Sequence, residues 1–248
     1  MLNFLCSGIG FYYSYYFWGL ILIPGIIFGS IAQIKVQNAY TTNSATYSEL
    51  GISSHDAAVR LLESKGLSNI QINRISGQLT DNYNPRNKTV NLSDGNYDST
   101  SLSALGVMAH EVGHAVQHKE RYFPLVLRNI LIPINNIISP MVWIVLILGL
   151  FLDIAYTVSG IGQILIFVGI GIFGLSTIIS LITLPVEYNA SKRAMEMLLE
   201  NGIITENETR QVKQVLDAAA LTYVAGMVMS LLSLLRVIFV VVGSRKRK

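Results

Sequence analysis

Four long apolar runs constrain this chain before any motif is considered. They cover residues 11–34, 130–152, 161–184 and 218–242. Each is close to the ~20 residues that a helix needs to cross the hydrocarbon core of a bilayer. A buried helix of a soluble core is the ordinary alternative for one such run. Four of them leave too little polar sequence to cover them in a chain of 248 residues with 13% charged residues. The mean hydropathy of +0.48 agrees with a membrane protein that carries one polar module. The early half of the second run is interrupted by Pro133, Asn135, Asn136 and Pro140, and the fourth by Arg236. Arg236 is either a functional charge or a side chain snorkelling towards the basic tail. The first run is longer than a signal-peptide core and no Lys or Arg precedes it, so it reads as a retained span despite the small-x-small triplet Ser30-Ile31-Ala32. Its aromatic start, Phe11, Tyr12, Tyr13, Tyr15, Tyr16, Phe17 and Trp18, suits a membrane interface.

The polar part holds the pentad His110-Glu111-Val112-Gly113-His114. On a helix, residues four apart share a face, so both imidazoles reach one metal ion. Glu111 lies one residue round from His110, placed to act as base towards a metal-activated water. The flanks predict the helix. Ser99, Thr100 and Ser101 offer N-caps, and Leu102, Leu105, Ala109, Val112 and Val116 recur at helical spacing, with the two histidines off that stripe. Pro124 is expected to stop it or force a turn. Two partly buried histidines flanking an exposed Glu are the plain structural alternative.

A catalytic zinc normally takes three protein ligands. His118 continues the ladder but sits two turns from His110, about 12 Å along the axis at ~1.5 Å per residue. It is better suited to a surface or supporting place. A remote histidine ligand would have to be His55. A downstream carboxylate suits better, and Glu187 is expected to open a second polar helix after Pro185.

Three blocks carry a resemblance that spans most of the chain. They are residues 79–93 (Leu79-Thr80-Asp81-Asn82-Tyr83-Asn84-Pro85-Arg86 and Lys88 to Ser93), residues 109–117 around the pentad, and residues 184–194 around Glu187, with Ala220 to Ala225 as a weaker fourth. In these the chain resembles the bacterial membrane-bound neutral zinc metallopeptidases of the YugP type, distant relatives of the HtpX-like and CAAX prenyl peptidases. The resemblance implies His110 and His114 as ligands of one Zn2+ per chain, Glu111 as base and Glu187 as third ligand. It also implies a bacterial cell membrane. HtpX-like relatives place an Asp four residues after the ligand Glu. This chain has Ser191, a weaker partner for the free N–H of a metal-bound imidazole.

The expected fold is a mainly α membrane protein, with about four transmembrane helices plus a small α+β zincin-like module holding the His-Glu-x-x-His helix and a short sheet. Its expected parts are residues 1–34, a first span; 35–129, the zincin-like module; 130–184, two spans; 185–217, polar helices with the third ligand; and 218–248, the last span and the tail Arg245-Lys246-Arg247-Lys248. Four spans put 35–129 and 185–217 on one side of the membrane, so the three ligands can meet. Eight Lys and Arg near span ends on that side (Lys35, Lys119, Arg121, Arg128, Lys192, Arg193, Arg210 and Lys213) against four in the tail favour the cytoplasm.

Within the module, residues 53–66 read as a helix capped by Ser53 or Ser54, with Gly66 as stop. Ile70, Ile72 and Ile75 suggest one strand, and Lys88 to Leu92 a second, placed as an edge beside the metal where a substrate backbone adds on, or as an ordinary hairpin strand. The function expected is a membrane-anchored zinc endopeptidase acting on membrane or membrane-adjacent proteins, its zinc-bound water activated by Glu111. A proteolytically silent zinc-containing scaffold is the alternative, and a transporter with a chance pentad is disfavoured by the scarcity of polar groups in the spans. Tyr188 and Tyr223 are weak candidates for an oxyanion stabiliser. A net charge of +3 gives no reason for nucleic acid, and Cys6, the sole cysteine, permits no internal disulfide.

Overall fold

The computed structural model describes residues 16–155 and 160–245. Phe11, Tyr12, Tyr13, Tyr15, Cys6 and the tail residues Lys246, Arg247 and Lys248 lie outside the described residues. The elements run in chain order as α1 (Ile23–Ser44), α2 (Ser54–Ser64), β1 (Gln71–Ile75), β2 (Asn82–Asn84), β3 (Thr89–Ser93), α3 (Leu102–Lys119), α4 (Phe123–Ile138), α5 (Val142–Ala155), α6 (Ile161–Glu200) and α7 (Thr209–Arg245). The protein is mainly α-helical with one small sheet, as expected. Among the described residues, four helical stretches are long and apolar enough to cross a membrane: Tyr16–Ser44, Phe123–Asp153, Ile161–Glu200 and Glu206–Val242. The chain divides into two compact units.

The first unit takes its described residues from Met1–Ser30, Leu127–Ile182 and Val224–Lys248. Large apolar side chains face outward here, among them Ile130, Ile144, Ile147, Ile164 and Phe167, with Ile137 73% exposed. Water would not tolerate so continuous an apolar surface on a monomer, whereas lipid does. Hydroxyls inside the unit find local partners. Ser176 Oγ donates to Asn135 Oδ1 at 2.7 Å, and the Thr177 and Ser230 hydroxyls meet at 3.2 Å. The half-buried Arg236 reaches towards Gly19, its guanidinium 3.8 Å from where a Cβ would stand.

The second unit, Ile31–Val126 and Thr183–Tyr223, is built around one apolar core. Ser53 caps α2 by accepting from the Asp56 N–H at 3.1 Å, and Gly66, with φ of +63°, turns the chain after it. Leu61 and Leu62 of α2, Val90 and Leu92 of β3, and Leu105, Met108 and Val112 of α3 are all buried together. The sheet has the order β1-β3-β2, with β3 parallel to β1 and antiparallel to β2.

Three expectations are corrected. The strand expected over Lys88 to Leu92 is β3, and it is the central strand rather than an edge. The edges are β1 and β2, and β2 has three residues (Asn-Tyr-Asn), too short and polar to show alternation. Glu187 does not open a new helix, because α6 runs unbroken through Pro185. A proline removes a single N–H from the ladder, and the remaining bonds carry the helix on. Pro124 does not stop α3. That helix ends at Lys119, Arg121 turns the chain at φ +53°, and Pro124 stands in the first turn of α4, where a missing N–H is harmless.

Candidate metal centre

Helix α3 starts where Ser101 Oγ accepts from the Ala104 N–H at 3.3 Å. From that cap the apolar stripe faces the core, and His110 and His114 emerge beside each other with ring centroids 4.7 Å apart. Glu187 comes from α6. The two helices approach closely at Gly113, where a Cβ would lie 2.7 Å from the backbone oxygen of Ala190. Glycine inside a helix costs some stability, and here it is the residue that lets the backbones meet.

That approach brings the expected residues together. One ligand atom each from His110, His114 and Glu187 lies within 4.8 Å of the others. Glu187 Oε2 is 3.1 Å from His110 Nε2 and 3.4 Å from His114 Nε2. Zinc bonds of ~2.0–2.1 Å at tetrahedral angles put neighbouring ligand atoms about 3.3 Å apart, so this donor set fits zinc. The histidine side chains are 13% exposed and the Glu187 side chain 2%, which leaves the cluster enclosed but accessible.

The orientation of each ring is fixed from behind. Gln117, fully buried, donates from Nε2 to Val186 O at 2.8 Å and to Asn189 Oδ1 at 2.9 Å. Its Oε1 is thereby turned to His114 Nδ1 at 3.0 Å. This makes Nδ1 the protonated nitrogen and leaves the Nε2 lone pair for a metal. His110 Nδ1 faces Ser191 Oγ at 3.1 Å, so the serine takes the position where an Asp was missed in the sequence. Beyond Asn189 the chain of contacts continues to Arg193, which bonds Asn189 Oδ1 at 2.8 Å and Glu120 Oε2 at 2.7 Å.

Glu111 Oε2 accepts the Tyr83 N–H at 2.8 Å, which ties the pentad to edge strand β2. Desolvation pushes the Glu111 carboxyl above the usual range, against the nearby imidazoles of His110 and His114, while the Glu187 charge pushes the same way. Burial pulls His114 down, but its hydrogen bond to Glu187 and the Glu111 charge outweigh this and its pKa is raised.

The other candidates stand apart from the cluster. His118 Nδ1 is 2.8 Å from the Tyr83 hydroxyl, and His55 is paired with Asp56 at 3.2 Å. Tyr188 is exposed. Gln117 and Tyr83 also support the site, although no motif marks them as doing so. A signal for Gln117 was present, since it lies three residues after His114 and is thus its neighbour on the helix surface. Tyr83 had none beyond its place in a matching block.

Comparison with known proteins agrees with this geometry. A family model described as "Putative neutral zinc metallopeptidase" matches residues 18–242. The protein "Putative membrane protease YugP" of Bacillus subtilis (strain 168) is 39% identical over 214 residues, covering 86% of this chain and 92% of that one. No solved structure matches. A chain whose four apolar helices accompany a His-His-Glu cluster, and which matches the family model over nearly its whole length, belongs to the neutral zinc metallopeptidase family.

Proposed function

We propose that this protein is a membrane-anchored, zinc-dependent endopeptidase that cleaves membrane or membrane-adjacent polypeptides. The observation that carries the reading is the meeting of His110, His114 and Glu187 from two helices, with the Glu111 carboxyl held beside them. His110, His114 and Glu187 would hold one Zn2+. Bound there, zinc supplies a Lewis acid that polarises the scissile carbonyl and acidifies water.

Glu111 is the base. It takes a proton from the attacking water as the water oxygen bonds to the carbonyl carbon, then delivers that proton to the amine nitrogen as the C–N bond breaks. A carboxyl raised by desolvation is better matched to this two-way transfer near neutral pH than a solvated one. Gln117 keeps His114 in the ligand tautomer, and Ser191 orients the His110 ring. An intact base favours this reading over a silent zinc scaffold, because a structural site has no use for one. The concentration of Lys and Arg near span ends on the catalytic side favours the cytoplasm.

The test compares the parent, Glu111→Gln and Glu187→Ala, purified in detergent, for zinc per chain and for hydrolysis of casein. The expected result is one zinc in parent and Glu111→Gln, cleavage by the parent only, and weakened zinc binding in Glu187→Ala. Parent-like zinc affinity in Glu187→Ala would remove it as a ligand. Zinc in both of the others with no cleavage of any protein or membrane peptide would favour the scaffold.

A further inference from the structure

Beside the metal cluster, in the same unit, lies a cavity of about 390 Å³. Its floor is apolar, made by Leu67, Ile70 and Ala115, each at most 8% exposed. Its rim carries two ammonium groups, Lys88 and Lys119, together with His118, and no carboxylate lines it. Neither lysine is ion-paired among the described residues. Lys119 Nζ is instead directed at the carbonyl oxygens of Lys65 and Gly66. A cationic rim with no carboxylate in the cavity lining, over an apolar floor, matches a ligand with a short apolar stem and a negative tip.

Tyr83 joins this cavity to the candidate base. Its backbone N–H bonds Glu111, while its hydroxyl meets His118 at the cavity wall. His118 follows Glu111 by two helical turns, about 10.5 Å at ~1.5 Å per residue. An extended peptide advances about 3.3 Å per residue, so a chain lying along this face presents to the cavity the group about three residues from the scissile bond.

Resting on the peptidase reading, we infer that this cavity is a specificity subsite for a peptide carboxylate, about three residues from the cleaved bond, read by Lys88 with Lys119 and His118. The carboxylate is that of a Glu or Asp side chain or of the substrate's own C-terminus.

Lys88 gives the clean test, because only its backbone is engaged in the fold, through the Gln71 N–H. The probes are quenched-fluorescence decapeptides with Glu, or Gln as its match, scanned through every position, each with a free or an amidated C-terminus. The zinc-loaded full-length parent, Lys88→Ala and Lys88→Glu are assayed for kcat/KM. The same peptides, labelled, are titrated onto Glu111→Gln by anisotropy, with and without Lys88→Glu.

The parent should prefer Glu over Gln roughly fivefold at one position, or free over amidated termini by the same factor, the magnitude of a partly exposed charge pair. Lys88→Ala should bring the ratio to about one and Lys88→Glu should invert it, with cleavage of the amidated Gln peptides changing less than that of the carboxylate-bearing ones. High salt should shrink the parent's preference. A ratio near one throughout, a ratio indifferent to Lys88, or a preference for apolar residues at that position would overturn the inference. Binding that discriminates Glu from Gln in Glu111→Gln, without hydrolysis by the parent, would keep the subsite and sink the peptidase reading.

Discussion

Gln117 shows how much a single amide decides. It sits in a helix where every neighbouring core position is apolar, and it makes three hydrogen bonds that bind α3 to α6 and orient His114. Gln117→Ala leaves His114 free to rotate or change tautomer, and removes the donor from two acceptors on α6. Zinc affinity is expected to fall about 10- to 100-fold, measured by competition with a chelating dye, while far-ultraviolet circular dichroism keeps its helical signal. An unchanged affinity would show that packing alone holds the ring. The residue pattern also shows what a sequence exposes. The pentad and Glu187 were legible because metal ligation demands specific side chains at specific spacings. Gln117 was marked only by its spacing from His114, and Tyr83 by nothing specific, because it meets Glu111 through a backbone N–H that any residue but proline supplies.

The decisive event between elements is the crossing of α3 and α6 at Gly113. Gly113→Ala places a methyl group against the Ala190 carbonyl, and the helices must separate. The expected cost is about 1–3 kcal/mol of stability, with zinc loading reduced because Glu187 moves away from the imidazoles. Thermal melts and zinc stoichiometry check it, and a variant that is parent-like in both would refute the close approach.

The same helix pair is clamped further along by Glu120 and Arg193 at 2.7 Å. The hydrogen bond from Arg193 holds the Glu120 carboxyl below its ordinary 4.5, so the folded chain binds that proton less readily than the unfolded chain does. The pair therefore contributes above about pH 4.5, and the contribution is lost as the pH falls through the lowered value. With Glu120 half exposed, screening limits it to about 1 kcal/mol or less. Urea titrations of parent and Glu120→Gln should differ by that amount at pH 7 and draw together as the pH falls below 4.5. Of the elements themselves, the spans and the capped helices α2 and α3 were readable from length, apolar period and Ser caps. Strand β2 was not, since three polar residues carry no period, and the continuity of α6 was hidden because Pro185 imitates a boundary.

Taken whole, the chain combines an apolar helical unit suited to lipid with a unit whose core is crossed by the metal-site helices. A metal that binds only the folded second unit adds stability in proportion to its saturation, about 2.7 kcal/mol at a hundred times its dissociation constant. Chelation should therefore lower the melting temperature of the parent and leave that of Glu187→Ala unmoved, with zinc restoring the parent. Identical shifts in both proteins would mean that the metal acts elsewhere.

The order in which the donors occur along the chain has a consequence for biosynthesis. His110 and His114 are synthesised before the second and third apolar helices, and Glu187 only in the later part of the third. Until then the nascent protein holds two of the three donors. With each apolar helix crossing the bilayer as proposed, the centre would close only when an even number of crossings had returned the chain to the side it left. On the function proposed above, metal loading would act as an inspection of topology: a chain threaded wrongly would carry its last donor across the bilayer and stay inert.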